Sequence, residues 1–417
     1  MATHRHLSIA TAVILLLVTG CGKVEPPAGN VLPTQMPATL PVVTPTPAFS
    51  AAAHWSVQAL TPDYPIQKIE LAGTYEEIGY TLGQWYQDRG FLPRPLTDDE
   101  QKVARELLRF YEGMHPSILA QLRGMYAAYG LSLDDLKEAI PVSDNEGIRI
   151  LLPGLVEGGS CSVVFTRPEM AADGHARLGR NYDWPGVAPD TFLVFTQPDG
   201  GYATAIMTAH TPGLAAADGL NSEGLVLGFA SVRDVGYDLP AGPALASGFV
   251  YRLILETCAN VEEAIALLHS VPITFIKSSP DDPITHILLA DRSGASAVVE
   301  FLPQGIVVSR TDAPYQVMTN SHWAGPADQP QCPRYQTAVK ELERAHGGID
   351  TEAVMDIMSS IHSATQWTTV YDLEDLSLVL TLPGVDPSTR YEFSLADFVT
   401  RIDGATGIVK LVKVARE

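Results

Sequence analysis

One stretch constrains this chain more than any other: residues 158–184, GGSCSVVFTRPEMAADGHARLGRNYDW. It places Cys161 at the start of an apolar run, 161–165, whose β-branched valines predict a buried strand. A turn signal at 172–174 follows, and a second short strand ends in RNYDW at 180–184. A hairpin of this kind returns the end of the second strand to the cysteine. The stretch therefore predicts a thiol beside the Arg180 guanidinium and the Asp183 carboxylate.

The rest of the composition describes a packed globular body with an acidic surface. Hydrophobic residues make up 46% of the 417 residues, and the formal charge of −21 is spread along the chain without a basic block. Nucleic acid is excluded as a partner, because phosphate binding needs clustered lysine and arginine.

The N-terminus reads as an export signal. A positive n-region, HRH at 4–6, precedes an apolar core at 7–18 that is too short to span a membrane. The ending LVTGC at 17–21 resembles a bacterial lipobox, which implies cleavage after residue 20 and lipidation of Cys21. We therefore expect a signal peptide at 1–20, a Pro/Thr/Ala-rich tether at 21–53 and an extracytoplasmic protein anchored to the bacterial cell membrane. The alternative is an ordinary secretory signal in which Cys21 is incidental.

Three cysteines remain in the body: Cys161, Cys258 and Cys332. An odd number in an exported protein implies at least one free thiol. If Cys258 and Cys332 pair, Cys161 is the free one; if they do not, all three are buried thiols.

The body divides at about residue 160. Segment 54–160 is predicted to be mainly helical, with helices at 73–90, 97–112 and 116–129, and Thr97 and Glu100 form a capping box. Gly79 and Gly83 lie one turn apart, which predicts a close approach to another element. Segment 161–417, the expected catalytic core, alternates groups of short strands with groups of helices, as is typical of an α+β fold with antiparallel sheets. The predicted strands are 161–165, 176–183, 191–196, 202–208, 224–229, 286–290, 297–301, 306–309, 316–319, 368–371, 376–381 and 408–412, and the predicted helices are 247–258, one capped by Asn260, 334–345 and 351–361.

The chemistry that these residues could support centres on Cys161. A thiol is a good nucleophile only as a thiolate, so it needs a base or a positive neighbour. Arg180 could supply the positive field, and Asp183 could hold Arg180 or an amine in place. On spacing alone, a structural cysteine and a surface arginine are the simpler interpretation.

The order of the motifs along the chain favours a catalytic role for Cys161. A cysteine that opens a strand, a DG turn and then GRNYDW resemble the N-terminal-nucleophile (Ntn) amidohydrolases. Most closely they resemble the acyl-CoA:6-aminopenicillanate acyltransferase group, which is related to choloylglycine hydrolase and acid ceramidase. Supporting motifs follow the same order along 73–371: GTYEEIGYTLG at 73–83, GLNSEGL at 219–225, RLILE at 252–256 with VEEA at 261–264, and VMTNSH at 317–322 with RY at 334–335.

The resemblance implies a fold and a mechanism. The fold would be an αββα four-layer sandwich, with two antiparallel sheets between helix layers. The bond between Ser160 and Cys161 would be cleaved by the Cys161 thiol, although Ser160 stands where the acyltransferases usually carry glycine. Cys161 would then hold both the nucleophile and an α-amine base with a pKa of about 8, and no cofactor or metal would be needed.

Roles for other residues are implied in the same way. Arg180 and Asp183 would position the thiol and the amine, Asn320 would donate to the oxyanion, and Arg334 matches a second arginine of the ceramidase-like branch. Asn221 is a candidate for oxyanion or structural duty, and a turn asparagine is the alternative. Two aromatic residues, Tyr182 and Trp184, either line a substrate pocket or belong to the core. The substrate would be a small amide or acyl compound: a penicillin, an acyl-homoserine lactone, a bile salt, a peptide or an N-acyl amino acid or lipid.

Two other functions fit parts of the sequence. A papain-like protease would need His210, His286, His322 or His362 beside Cys161, and a helix after the cysteine where strands are predicted. A zinc site built from these histidines has no recognisable spacing. A solute-binding lipoprotein would be expected to have two lobes of alternating helices and strands, whereas the predicted strands come in antiparallel groups.

Overall fold

The fold was analysed in a computed structural model of the chain. The structure describes residues 54–60, 66–140, 161–184, 190–209, 211–275, 277, 282–324, 331–345, 347–383 and 389–403. The predicted signal peptide, Cys21, the tether, Ser160, His210 and the predicted strand 408–412 lie outside the described residues.

The described part contains eight α-helices and nineteen strands. The strands are β1 (His54–Ala59), β2 (Ile66–Gly73), β3 (Arg94–Pro95), β4 (Glu138–Ala139), β5 (Ser162–Thr166), β6 (Arg177–Asp183), β7 (Thr191–Pro198), β8 (Thr204–Ala209), β9 (Asp218–Asn221), β10 (Val226–Val232), β11 (Leu245–Ala246), β12 (Ile273–Thr274), β13 (Ile284–Ala290), β14 (Ser296–Leu302), β15 (Gly305–Ser309), β16 (Tyr315–Met318), β17 (Thr365–Asp372), β18 (Ser377–Thr381) and β19 (Tyr391–Ser394). The helices are α1 (Tyr75–Asp88), α2 (Asp98–Met114), α3 (Pro116–Ala128), α4 (Ser247–Thr257), α5 (Val261–Ser270), α6 (Pro333–Arg344), α7 (Thr351–Ser360) and α8 (Leu395–Asp403).

Two large sheets form the centre of the molecule. The larger has the strand order β1-β2-β7-β8-β9-β10-β13-β14-β15, and the smaller has the order β16-β5-β6-β17-β18-β19. Every neighbouring pair in them is antiparallel except β2 and β7, which run parallel. The sequence prediction of antiparallel sheets is confirmed.

Three apolar layers show how the sheets and helices stack. The middle layer joins the inner faces of the two sheets and includes Val163, Leu178, Leu193, Leu220 and Leu288. An outer layer between the small sheet and helices α6 and α7 includes Val164, Val370, Leu342, Val354 and Met358. The other outer layer, between the large sheet and helices α3, α4 and α5, includes Leu227, Ile287, Leu122, Leu253 and Leu268. Neighbouring residues of one strand, such as Val163 and Val164, enter different layers because side chains alternate across a strand. The arrangement is the expected αββα four-layer sandwich.

Local sequence signals located most elements. The predicted helices are confirmed within a few residues, and the Thr97–Glu100 capping box is present at the start of α2. Asn260 caps α5 by accepting a hydrogen bond from the backbone of Glu263. Strands β1, β2, β9 and β19, the two-residue strands β3, β4, β11 and β12, and helix α8 were not predicted. None of the helices in the described part of the chain combines the length and the apolar character needed to cross a membrane.

The segment before the cysteine differs from the prediction in one respect. Its described part is mainly helical, but β1 and β2 also belong to it, and β2 pairs with β7 along its whole length inside the large sheet. Strands β1 and β2 therefore form part of the sheet itself and not a helical cover over it.

Candidate active site

The antiparallel register of three strands assembles the site. Cys161 precedes β5 and is 2% exposed. On one side β5 pairs with β6, and Val163 lies opposite Arg180. On the other side it pairs with β16, where Val163 lies opposite Met318. Because Cys161 lies two residues before Val163, the same register puts Asn320, two residues after Met318, beside it.

Arg180 supplies the positive charge next to the thiol. Its Nη2 donates to Cys161 Sγ at 3.8 Å and to the carbonyl oxygen of Phe229 at 3.1 Å. The guanidinium also lies against the rings of Tyr182, Phe229 and Trp367, with its Cζ 4.7–5.6 Å from their centroids. Such contacts hold a cation in an otherwise apolar layer.

The carboxylate that holds Arg180 is not the predicted one. Arg180 Nη1 donates to Asp218 Oδ2 at 2.7 Å, and both side chains are fully buried. Asp218 also accepts hydrogen bonds from Trp367 Nε1, Thr369 Oγ1 and Tyr371 OH at 3.1, 2.9 and 2.6 Å. Four donors satisfy this carboxylate, as a buried charge requires. The sequence analysis missed Asp218, although a single acid inside the apolar stretch 214–220 was a usable signal.

Asp183 lies at the end of β6, on the face opposite to Arg180. One of its carboxylate oxygens accepts a hydrogen bond from Thr365 Oγ1. The other, Oδ2, is buried and has no hydrogen-bond partner among the residues that the structure describes. Burial raises the pKa of Asp183, with Thr365 and the Arg334 charge acting in the opposite direction. An unpartnered buried carboxylate oxygen is costly and marks a position suited to a cationic donor.

Arg334 and Asn320 close the other side of the site. Arg334 Nη1 donates to the carbonyl oxygen of Cys161 and to Ser162 Oγ, each at 2.7 Å. Its Nη2 donates to Asn320 Oδ1 at 2.9 Å. The Asn320 amide nitrogen in turn donates to the carbonyl oxygen of Ser231 at 2.6 Å. These contacts fix the orientation of the Asn320 side chain.

The thiol itself is not activated in the uncut chain. Burial raises the pKa of Cys161, while the charge of Arg180 and the backbone N–H of Asp183 act to lower it. The net shift is upward, so the thiol is protonated at neutral pH. A nucleophilic Cys161 therefore needs a base, and the described residues around it supply only a carboxylate, an amide and two guanidinium groups.

Asn221 does not belong to this site, so its predicted catalytic role is wrong. Residues alternate along β9: Asp218 and Leu220 face the small sheet, and Asn221 faces helix α4. Its Nδ2 donates to the carbonyls of Leu255 and Cys258, and its Oδ1 accepts from the backbone N–H of Glu223 and Leu225, as in a structural turn asparagine.

The two aromatic residues of the motif have different surroundings. Tyr182 stacks on Trp367 with ring centroids 3.9 Å apart, directly below Arg180. The Trp184 backbone pairs with Ala364, and its carbonyl oxygen accepts from Gln366. Tyr182 therefore supports the charged part of the site, while the pocket role of Trp184 stays a prediction.

Among the described residues, no histidine contacts Cys161 as a papain-like protease would need, and the one group that could bind a metal is already paired with an arginine. His322 and His286 are bonded to Glu300, Arg233 and Thr319 and not to Cys161. His362 is exposed, and a strand follows Cys161 where the papain-like alternative needs a helix. One described group could converge on a metal, Asp173, His175 and Asp372, but Arg177 already pairs with both aspartates, at 2.5 and 2.7 Å. Cys161, Cys258 and Cys332 are all free thiols.

Comparison with known proteins agrees with this geometry. The family model of acyl-coenzyme A:6-aminopenicillanic acid acyl-transferase matches residues 170–380, half of the chain. The chain belongs to this acyl-transferase family. It is thus an Ntn hydrolase of the amidase and acyltransferase class, which acts on amide bonds.

Solved structures that the chain is similar to include an acylase and a hydrolase. Penicillin V acylase from Agrobacterium tumefaciens is 18% identical with a TM-score of 0.44, and the match covers 57% of this chain and 86% of that one. A variant of conjugated bile acid hydrolase from Clostridium perfringens is 14% identical with a TM-score of 0.44, covering 57% and 93%. No curated protein sequence matched the chain.

Proposed function

We propose that this member of the acyl-transferase family is a self-processing amidohydrolase whose nucleophile is the Cys161 thiol. The observation that carries the proposal is the arrangement of Arg180, Asp183 and Arg334 around Cys161, the residue just before β5. Arg180 contacts the sulfur, and Arg334 donates to the Cys161 carbonyl oxygen. The backbone N–H of Asp183 acts to lower the pKa of the thiol, and one oxygen of the Asp183 carboxylate has no partner among the described residues. A purely structural cysteine needs none of these groups.

The first step is cleavage of the chain. The Cys161 sulfur attacks the carbonyl carbon of Ser160, and the peptide C–N bond breaks as the nitrogen takes a proton. Water then hydrolyses the resulting thioester. The products are a carboxylate on Ser160, the regenerated thiol and an α-amine on Cys161. When protonated, this amine can donate to the open oxygen of Asp183.

The mature enzyme would use the amine as its base. An α-amine has a pKa of about 8, so near neutral pH part of it is free to accept the thiol proton. The thiolate attacks the substrate carbonyl, and Asn320 donates the second N–H of its amide to the oxyanion. The protonated amine then donates the proton to the nitrogen of the departing amine. The acyl group remains on Cys161 as a thioester. Water, or an acceptor amine, then releases the acyl group.

Self-processing is tested on the purified chain by intact-mass measurement. Cleavage before Cys161 gives a fragment of 257 residues (417 − 160). We expect this fragment from the wild type and from Cys258→Ala, since Cys258 lies in the outer layer beside α4. Cys161→Ala should stay uncut. An uncut wild-type chain, or a cut Cys161→Ala variant, would refute the proposal.

Substrate class is tested next with chromogenic amides. Acetyl, octanoyl and phenylacetyl p-nitroanilides separate short, linear and aromatic acyl groups, and penicillin V and a glycine-conjugated bile salt add the substrates in the names of the similar structures. Hydroxylamine added as an acceptor distinguishes transfer from hydrolysis, because transfer yields a hydroxamate. Turnover that Cys161→Ala retains would exclude the cysteine mechanism.

We also propose that the enzyme is a lipoprotein of the cell membrane, on the strength of the LVTGC ending and the tether. Expression in a bacterial host with labelled palmitate should label the wild type and place it in the membrane fraction. The Cys21→Ser variant should be unlabelled. A wild type without label would leave an ordinary secretory signal as the explanation.

A further inference from the structure

The segment 319–324, which carries Asn320, is bound to the end of β10 by two of its side chains. Asn320 Nδ2 donates to the carbonyl oxygen of Ser231, and His322 Nε2 lies 2.9 Å from the carbonyl oxygen of Arg233. Asn320 and His322 are two residues apart, and so are the carbonyl groups of Ser231 and Arg233 to which they bind. The position of Asn320 therefore depends on the bond that His322 makes.

Below the segment lies a fully buried carboxylate, Glu300 of β14. Its Oε1 accepts from His322 Nδ1 at 2.9 Å and from the backbone N–H of Trp323 at 3.0 Å. Its Oε2 accepts from the backbone N–H of Ala324 at 2.6 Å. Burial acts to raise the pKa of Glu300, but the nearby His286, the hydrogen bond from His322 and the two backbone N–H donors outweigh it and hold the pKa well below its usual range. The carboxylate is therefore ionised at neutral pH.

The imidazole of His322 is placed between two acceptors. Nδ1 faces the Glu300 carboxylate and Nε2 faces a carbonyl oxygen, and neither of these can donate. A neutral imidazole has one N–H, whereas an imidazolium has two. Only the protonated ring satisfies both contacts. Loss of the proton sets a lone pair against one acceptor and releases that side of the segment.

Other groups around His322 either favour or oppose a positive charge on its ring. From β13, His286 Nε2 donates to the carbonyl oxygen of Thr319 at 2.7 Å, and its Nδ1 lies 3.7 Å from Glu300 Oε1. Arg233, which follows β10, opposes a positive charge on His322, and Arg334 donates to Asn320 Oδ1 of the segment. Burial acts to lower the pKa of His322, but the bonds to Glu300 and to the Arg233 carbonyl raise it above the usual value.

We propose that Glu300 and protonated His322 form a clamp that positions Asn320 beside Cys161 and opens when His322 loses its proton. The inference rests on the proposed function, because it assumes that Asn320 serves the acyl-transfer step. Both residues are positioning residues, since neither contacts the sulfur.

The direction of the pH effect follows from the contacts. A histidine whose pKa is raised by folding keeps its stabilising bonds below the ordinary pKa of about 6.5 and loses them as pH rises through the folded value. Alignment of Asn320, and the rate that depends on it, should therefore decline on the alkaline side. The α-amine has the opposite effect, since it becomes a better base as pH rises.

The test combines a substrate-free measurement with a kinetic one. In the wild type, nitrogen NMR follows the imidazole of His322 and the side-chain amide of Asn320 through a pH titration. We expect the two to change with one common midpoint. Stopped-flow acylation by p-nitrophenyl acetate supplies the rate over the same pH range. Exposed His269, on the last turn of α5, provides the control variant His269→Gln.

Two variants should change the pH dependence of acylation in different ways. His322→Gln should acylate about tenfold more slowly at acid pH, a part of the 10²–10³-fold effect of losing an oxyanion donor, and should lack the alkaline decline. Glu300→Gln removes the charge that favours the imidazolium, so the decline should move to lower pH. His269→Gln should match the wild type. Thermal unfolding checks that each variant is folded.

Specific results would overturn the clamp. One is an Asn320 amide signal that stays constant while His322 titrates, which needs no folded variant. Another is an alkaline decline that is the same in wild type and His322→Gln. These results leave the proposed function intact, which is refuted instead by an uncut wild-type chain or by a Cys161→Ala variant that still cleaves or acylates. Acylation of the wild type with no effect of the clamp variants would refute the clamp alone.

Discussion

At the scale of single residues, the site depends on a buried ion pair. Arg180 and Asp218 are both fully buried, and neither could remain charged there alone. Asp218 fills its acceptor positions with Arg180, Trp367, Thr369 and Tyr371, which fixes the direction of the guanidinium. Arg180 can then present Nη2 to the Cys161 sulfur without moving.

Replacing Asp218 by Asn should therefore damage both stability and chemistry. Removal of one partner of a buried ion pair typically costs about 3–5 kcal/mol, because the other charge stays buried without compensation. We expect a clear fall in the unfolding temperature and loss of self-cleavage. Tyr371→Phe removes one neutral donor to the same carboxylate and should cost only about 1 kcal/mol. An Asp218→Asn variant that cleaves and unfolds like the wild type would contradict this role.

At the scale of elements, the pair α1 and α3 shows how closely two helices can approach. A Cβ added at Gly79 would lie 1.9 Å from the carbonyl oxygen of Gln121, and one at Gly124 would lie 1.9 Å from that of Glu76. Gly83 faces Met125 and Ala128 in the same way. The close approach that the sequence predicted from Gly79 and Gly83 is confirmed, and Gly124 supplies the matching surface on α3.

The substitution Gly124→Ala should force the two helices apart. Overpacking of this kind costs about 1–3 kcal/mol or more, against a helix-propensity gain of about 1 kcal/mol. Gly113, exposed near the end of α2, meets nothing within 4 Å and serves as the matched control. Gly113→Ala should be neutral or slightly stabilising in chemical denaturation. Equal unfolding midpoints for the two variants would contradict the close packing.

At the scale of the whole molecule, the segment before Cys161 is built into the core. Its strand β2 lies between β1 and β7, and its Glu70 joins it to the last helix of the described chain. Glu70 is 3% exposed and pairs with Arg401 of α8 at 2.8 Å, with Lys68 at 2.8 Å and with His54 at 2.9 Å. Buried apolar area and this ion cluster both oppose separation.

After self-cleavage, the two pieces should consequently remain one particle. We expect them to elute together in gel filtration under native conditions and to separate only in denaturant. Glu70→Gln leaves Arg401 and Lys68 without their carboxylate and should lower the denaturant concentration at which they separate. Elution of the 257-residue piece alone under native conditions would show that the first segment is a removable propeptide.

The sequence by itself determined what is encoded over short distances. The β5–β6 hairpin, the capping box of α2 and the Asn260 cap follow from residues a few positions apart, and so their prediction was confirmed. The apolar, valine-containing run 161–165 predicted a buried strand, and all five residues of β5 are buried. Motif order gave the family, and with it the four layers and the residues Cys161, Arg180, Asp183, Asn320 and Arg334 that lie together in the structure.

Only the tertiary structure decided which distant groups meet. Arg180 pairs with Asp218, which lies 38 residues away in sequence, and not with Asp183. Pairing between residues of two sheets depends on how the sheets stack, which the local sequence does not specify. Because side chains alternate along β9, Asn221 faces α4 and not the thiol. Strands β1 and β2 were missed because their pairing with each other and with β7 depends on the assembled sheet. Glu300 beneath His322 has the same origin: local sequence specifies the elements, and long-range packing specifies the partners of buried charges.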